Sequence, residues 1–183
     1  RSLPFQKQDS TLRDYFIEIL NSDYQNILVG LPIGYCSLDN LKKDAKLTWR
    51  AIISWTYPKI KTYLKPNKQY YNASMTRLYI DYEDTSHSGE WFQKVMKLWE
   101  NKNIILIEGE KSRLGVGNDL FKKAKSVSRI LGPAHNAFDQ FDNLLNFAKQ
   151  QPQEALYLIA MGPTAKPLAY ELALSGRQAL YIF

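Results

Sequence analysis

Residues 104–121 read IILIEGEKSRLGVGNDLF. An unbroken apolar run stops at Glu108 and opens into a loop dense in charge and glycine. Glu108, Glu110, Lys111, Arg113 and Asp119 alternate there with Gly109, Gly115 and Gly117. Short, fully apolar runs that end at glycine fit strands of a parallel sheet covered on both faces. In such sheets ligands bind outside the carboxyl ends of the strands, which is where this loop falls.

Working outward, NIILIEG (103–109) and ALYLIAMG (155–162) are the longest such runs. NILVG (26–30), SVSRIL (126–131) and QALYIF (178–183) are further candidates. Between them lie helical patterns. STLRDYFIEIL (10–20) gathers Leu12, Phe16, Ile19 and Leu20 on one face, and GEWFQKVMKLW (89–99) gathers Trp91, Phe92, Val95, Leu98 and Trp99. AFDQFDNLLNFAK (137–149) and AKPLAYELALS (165–175) complete the set. Alternating strands and helices imply an α/β fold: a Rossmann-like, mostly parallel sheet with helices on both faces. No internal repeat or linker interrupts the pattern, so residues 1–183 read as a single domain.

Composition narrows the functional classes. The chain has 183 residues, 45% of them hydrophobic, and a net charge of +6. That charge favours anionic partners without choosing among nucleotide, nucleic acid and lipid. One cysteine, Cys36, excludes an intramolecular disulfide framework. No stretch approaches the ~18 uninterrupted apolar residues of a membrane span. His87 and His135 stand apart, without partners at zinc-ligand spacing. No G-x-S-x-G elbow marks a hydrolase.

Two loops carry candidate chemistry. In the first, Gly115 and Gly117 would let backbone amides approach a ligand. Asn118 and Asp119 suit the N-cap of a helix starting near Leu120, where a phosphate could sit beside Lys111 or Arg113. GEKS is not a P-loop, and GVGNDL lacks the third glycine of the dinucleotide fingerprint. The bland alternative is a turn whose charges pair with each other, such as Glu110 with Arg113. The second loop is MGPTAKPL (161–168). Pro167 fits only the first turn of a helix, so the helix starts near Thr164 and leaves the amides of Ala165 and Lys166 free for an anion. Here the bland alternative is an ordinary strand-to-helix connection. Arg77, at the head of a possible strand in NASMTRLYI (72–80), is either an anion clamp or a surface arginine without a role.

Residues 46–82 differ in kind. Seven basic residues (Lys46, Arg50, Lys59, Lys61, Lys65, Lys68, Arg77) face one acid, Asp81, and interleave with eight tyrosines and tryptophans. These aromatics could stack on sugars or bases, lie on a membrane surface, or form half-buried helix faces. Trp55 and Tyr57, beside Pro58, are the expected exposed pair.

With these residues in view, the chain resembles the GT-D-fold bacterial glycosyltransferases, formerly a domain of unknown function. The resemblance rests on NASMTR, IILIEGEKSRLGVGNDLF, SVSRILGPAHNAFDQFD and LYLIAMGPTAKPLAYELALSGRQAL, with PFQKQD and VGLP in support. It implies transfer of a hexose, glucose or galactose, from a UDP-sugar to a glycan on a bacterial surface glycoprotein or polysaccharide. It implies a cytoplasmic enzyme, with peripheral contact at the inner face of the membrane a possibility and no nucleic-acid partner. It also implies a divalent metal, manganese or else magnesium, held by an Asp-x-Glu motif in a segment reading like RFGDGE. No such segment occurs here, so the expectation places it upstream of Arg1 and leaves the metal ligands unassigned. On this reading Glu110 is the candidate catalytic carboxylate. Arg77, Lys111, Ser112, Arg113, Gly115, Gly117, Asn118, Asp119, Gly162, Pro163 and Thr164 are the candidate donor-binding residues. The competing class is a non-enzymatic module that binds an anionic polymer or nucleic acid through residues 46–82.

Overall fold

The computed structural model describes residues 4–77 and 79–182. In chain order its elements are α1 (Ser10–Asn21), β1 (Gly30–Leu31), α2 (Lys43–Ile60), β2 (Tyr71–Asn72), α3 (Ser88–Met96), β3 (Asn103–Gly109), β4 (Ser126–Gly132), α4 (Phe141–Lys149), β5 (Leu156–Ala160), α5 (Ala165–Leu174) and β6 (Gln178–Tyr181). Single 3-10 turns extend α3 over Lys97–Trp99 and precede α4 and α5 over Ala137–Gln140 and Gly162–Thr164. The chain divides into two compact units, one of Arg1–Phe16 with Met96–Phe183, the other of Ile17–Val95.

The first unit is built on a four-stranded parallel sheet in the order β4-β3-β5-β6. The run 103–109 becomes β3 over its whole length because both faces of it are covered. Ile105, Ile107, Tyr157 and Ile159 point into a core shared with Leu144, Ala148, Leu168 and Leu172 of α4 and α5. The alternate residues Ile104, Leu106, Leu156 and Leu158 are buried too. Burial of this kind contributes roughly 1.5–3 kcal/mol per large aliphatic side chain. Tyr157, fully buried, keeps its hydroxyl satisfied by donating to the carbonyls of Ala148 and Pro152. Since all strands run parallel, their carboxyl ends share one edge, with Glu108 level with Leu131 and Ala160.

In the second unit β1 and β2 form a two-residue parallel pair, and α2 runs for 18 residues without a fully buried side chain. The run 26–30 does not become a strand as a whole. Leu28 is 68% exposed, and Pro32, lacking an amide hydrogen, follows immediately after Leu31. Arg77 does not head a strand either, since β2 ends at Asn72 and a turn intervenes. Leu78, which follows Arg77 in the possible strand, and Phe183, at the end of 178–183, lie outside the described residues.

Two helical expectations need correction. Trp91 and Leu98, assigned to a buried face, are 49% and 40% exposed. The covered face runs through Phe92, Val95, Met96 and Trp99 at i, i+3, i+4 and i+7, which leaves Leu98 and Trp91 to its side, and the ring of Trp91 instead carries the Lys94 ammonium at 4.9 Å. No helix starts near Leu120. Residues 114–124 form successive tight turns, with Val116, Lys122 and Ala124 each donating to the carbonyl three residues back. The Asn118 side chain closes a local turn by accepting from the Leu120 amide at 3.0 Å. With β4 starting at Ser126, too few residues remain for a nucleus of helix to form.

Candidate functional site

The end of β3 explains the first loop. Glu108 is buried, at 2% exposure. Such a carboxylate is tolerated only when paired and hydrogen-bonded. Arg129, on the neighbouring strand β4, forms an ion pair with one oxygen. The other oxygen accepts from the amides of Leu114 at 3.0 Å and Arg113 at 3.4 Å. Arg129 also donates to the Leu114 carbonyl at 2.8 Å. The loop is thus folded back on the sheet edge, and the amides of Glu110 and Ser112 add bonds to the carbonyls of Gly132 and Gly109. Arg113 takes a φ of 122°, unusual for a residue with a side chain.

A pocket of about 180 Å³ opens at this edge. Gly109, Lys111 and Ser112 come from the end of β3, and Pro133, Ala134 and Ala137 follow β4. Ala160, Met161, Gly162 and Pro163 come from the end of β5, and Phe5 and Gln6 close the remaining side. The N-terminal wall is tied on by the Asn136 amide, which donates to the Phe5 carbonyl at 2.8 Å. The Lys7 amide donates to Asn136 Oδ1 at 2.8 Å. A concavity of mixed polar and apolar lining at strand carboxyl ends is where an open α/β sheet places a small-molecule site.

Lys111, Ser112, Gly162 and Pro163 therefore meet in one pocket. Glu110 and Arg113 are exposed members of the same loop but do not line it, and the two form no ion pair with each other among the described residues. Gly115 and Gly117 both have left-handed backbone, at φ 74° and 79°. They differ in surroundings. A Cβ at Gly115 would lie 2.4 Å from the Phe121 ring, whereas one at Gly117 would meet nothing within 4 Å. Gly115 is needed for packing and Gly117 for the turn. Asn118 and Asp119 are exposed in the turns beyond.

On the second loop, Thr164 is fully buried and its hydroxyl makes no hydrogen bond among the described residues. It stands at the N-cap of α5 but does not cap it through its side chain. The Ala165 amide, expected to be free, donates to the carbonyls of Gly162 and Pro163. Gly162, at φ 54°, turns the chain straight from β5 into a 3-10 turn that consumes this donor. Pro167 sits in the first turn of α5 as its chemistry requires. Next to it, Lys166 is pushed down to about 8 by desolvation, its ammonium 4.4 Å from the ring centre of Tyr181 and 5.5 Å from that of Phe16. Arg77 lies in the second unit.

Sequence reasoning missed Phe5, Gln6 and the wall of Pro133, Ala134 and Ala137, whose side chains carry no catalytic signature, and the Glu108–Arg129 pair. An arginine within the strand run SVSRIL was the available signal for that pair.

The residues present do not fit a divalent metal. Glu108 is engaged by Arg129 and two amides, and no group of three or more His, Cys, Asp or Glu able to hold a metal occurs among the described residues. In the second unit Trp55 and Tyr57 are 57% and 40% exposed, as expected. No helix among the described residues is long and apolar enough to cross a membrane.

Comparison with known proteins is consistent with this geometry. A family model described as glycosyltransferase GT-D fold matches residues 1–182. The chain is 32% identical over 185 residues to a probable glycosyl transferase Gly of Streptococcus gordonii, covering 100% of this chain and 27% of that protein. It is 34% identical over 180 residues to glycosyltransferase GlyD of Streptococcus pneumoniae serotype 4, covering 98% of this chain and 22% of that protein. The chain thus spans about a quarter of the length of these relatives. Among solved structures, a new glycosyltransferase of the domain of unknown function 1792 from Streptococcus sanguinis superposes with a TM-score of 0.93 at 33% identity, over 98% of this chain and 68% of that one. The highly conserved domain of unknown function 1792, described as having a distinct glycosyltransferase fold, superposes with a TM-score of 0.91 at 32% identity, over 97% of this chain and 64% of that one.

Proposed function

Because the chain belongs to the glycosyltransferase GT-D fold family, we propose that it carries the donor pocket of an enzyme that moves a hexose, glucose or galactose, from a UDP-sugar to a glycan acceptor on a bacterial surface glycoprotein or polysaccharide. The enzyme would act in the cytoplasm, at or near the inner face of the membrane. The observation that carries the reading is the pocket at the ends of β3, β4 and β5, with Lys111 and Ser112 on one wall and the Gly162–Pro163 turn on another.

The reaction needs two things from the protein. An acceptor hydroxyl oxygen bonds to the anomeric carbon while the bond from that carbon to the distal phosphate oxygen breaks, and UDP leaves with the electron pair. Preorganised positive charge and hydrogen-bond donors at the diphosphate lower that barrier, Lys111 supplying the charge and the Ser112 hydroxyl a donor. The hydroxyl proton passes to a base, for which Glu110 is the candidate, exposed beside the pocket. The divalent metal expected of the family, manganese or magnesium, has no ligand set among the described residues, and no step is assigned to it.

Calorimetry of the full-length protein with UDP tests the reading. Lys111→Ala should weaken binding roughly tenfold, the order of one charge-assisted hydrogen bond. Arg113→Ala, on the outside of the same loop, should weaken it less. Unchanged affinity in Lys111→Ala would remove that residue from the site. Absence of both UDP binding and donor hydrolysis in the full-length protein would overturn the reading itself.

A further inference from the structure

We propose that Phe5 and Gln6 form the nucleobase-reading element of this pocket, the Phe5 ring stacking on a pyrimidine and the Gln6 carboxamide pairing with its edge. The inference rests on the nucleotide-donor reading above and extends it to residues outside both strand-end loops.

The backbone around Phe5 is fixed before any ligand arrives. The Asn136 amide donates to the Phe5 carbonyl, and Asn136 Oδ1 accepts from the Lys7 amide, each at 2.8 Å. Lys7 Nζ pairs with Asp139 at 2.8 Å. Asn136 itself holds a left-handed φ of 50°, a conformation asparagine tolerates better than most residues. On this fixed backbone Phe5 is 44% exposed and lines the pocket. Its edge rests against Gly162, where a Cβ would come within 3.1 Å of Phe5 Cε2. An aromatic ring whose backbone is held in place while the ring stays partly open is a preorganised stacking surface.

Gln6 supplies the second half. The residue is 4% exposed and lines the same pocket. A carboxamide offers two donor hydrogens and two acceptor lone pairs. Here it makes two long contacts, donating to the Lys7 carbonyl and accepting from the Phe138 amide, both at 3.4 Å. A buried amide bonded this weakly gains from a partner, and the edge of uracil, with a carbonyl beside an N–H, offers both kinds. Polarity agrees as well. The pocket is apolar along Phe5 and Pro133 and cationic at Lys111, matching a molecule with a flat base at one end and phosphates at the other.

Calorimetric titration of the full-length protein with UDP, and with inorganic pyrophosphate by competition, tests the assignment. If the unmodified protein binds no UDP, the nucleotide-donor reading fails and takes the inference with it. If it binds, Phe5→Ala should lower UDP affinity roughly 5- to 150-fold, the range for losing one base-stacking contact, and leave pyrophosphate unchanged. Phe5→Trp should retain UDP binding. Gln6→Glu keeps an acceptor for the Phe138 amide but loses the donor, so UDP should weaken more than CDP. The inference is overturned if UDP and pyrophosphate weaken together, which makes Phe5 a folding residue. It is equally overturned if Phe5→Ala leaves UDP unchanged, or if only the UDP-hexose weakens, which would place the ring under the sugar.

Discussion

At the residue scale, charge inside the first unit is held by geometry that can be perturbed one atom group at a time. Glu108, at 2% exposure, is met by the Arg129 guanidinium and two backbone amides. Removing one partner of a buried pair strands the other and costs about 3–5 kcal/mol. Arg129 retains 29% side-chain exposure, so Arg129→Met should fall at the low end of that range. Urea unfolding measures the loss, and hydrogen exchange should show the Leu114 amide opening first. A loss within experimental error would mean that the two amides alone hold Glu108. Lys166 presents the opposite case, a cation with aromatic ring faces beside it and no carboxylate paired to it among the described residues. Desolvation lowers its folded-state pKa from 10.5 to about 8, so folding favours the neutral amine. Between those values the unfolded chain binds more protons, and this group's contribution to stability rises with pH. Below about pH 8 its penalty is full, and above about 10.5 it vanishes. The shift sets an upper bound of roughly 3 kcal/mol on that penalty, reduced by cation–π attraction to Tyr181 and Phe16. Lys166→Met should therefore gain stability over the natural protein at pH 7 and lose most of that advantage by pH 10. Parallel denaturation curves at the two pH values would show it, and a gap independent of pH would contradict it.

At the element scale, what was readable from residues depended on burial. NIILIEG became β3 residue for residue because both of its faces are covered, so apolar continuity and strand coincide. NILVG carries a similar pattern but lacks cover at Leu28, and the strand there shrinks to Gly30–Leu31. The loop after β3 was recognisable as charged and glycine-bearing. Its turns were not, because Asn118 and Asp119 serve a tight turn as well as a helix cap and only the distance to β4 decides between them. Half of the pocket was legible in the same way. Lys111 and Gly162 advertise anion chemistry, whereas Phe5 and Ala134 become walls only when chain segments distant in sequence meet. The first part of the basic-aromatic segment, 46–60, became most of α2, with Leu47, Trp55 and Tyr57 turned outward. Trp55→Ala should then change stability by no more than about 0.5 kcal/mol, as surface substitutions do, and leave UDP affinity intact. If α2 is instead the working surface of a polymer-binding module, the same change should abolish capture of a polyanion such as heparin while UDP binding is never observed.

At the scale of the whole molecule, the net charge of +6 makes weak attraction to any polyanion a baseline property, so anion binding alone does not identify a site. Ionic strength separates the two kinds of binding. A polyanion lying across the basic residues of 46–82 displaces many condensed counterions, and its affinity falls steeply with salt, by roughly 0.7–0.9 powers of salt per neutralised phosphate. The pocket offers a different count, because Lys111 is the one cation among its described lining residues. Its remaining contacts are a hydroxyl, an amide, glycine backbone and apolar surface, none of which releases counterions. UDP affinity plotted against salt on logarithmic axes should therefore have a slope near one charge, and Lys111→Ala should flatten that slope as well as lower the affinity. Heparin, measured alongside on the same protein, should show a slope several times steeper that Lys111→Ala leaves alone. A steep slope for UDP that is insensitive to Lys111 would move nucleotide binding out of the pocket and onto the general positive field of the molecule.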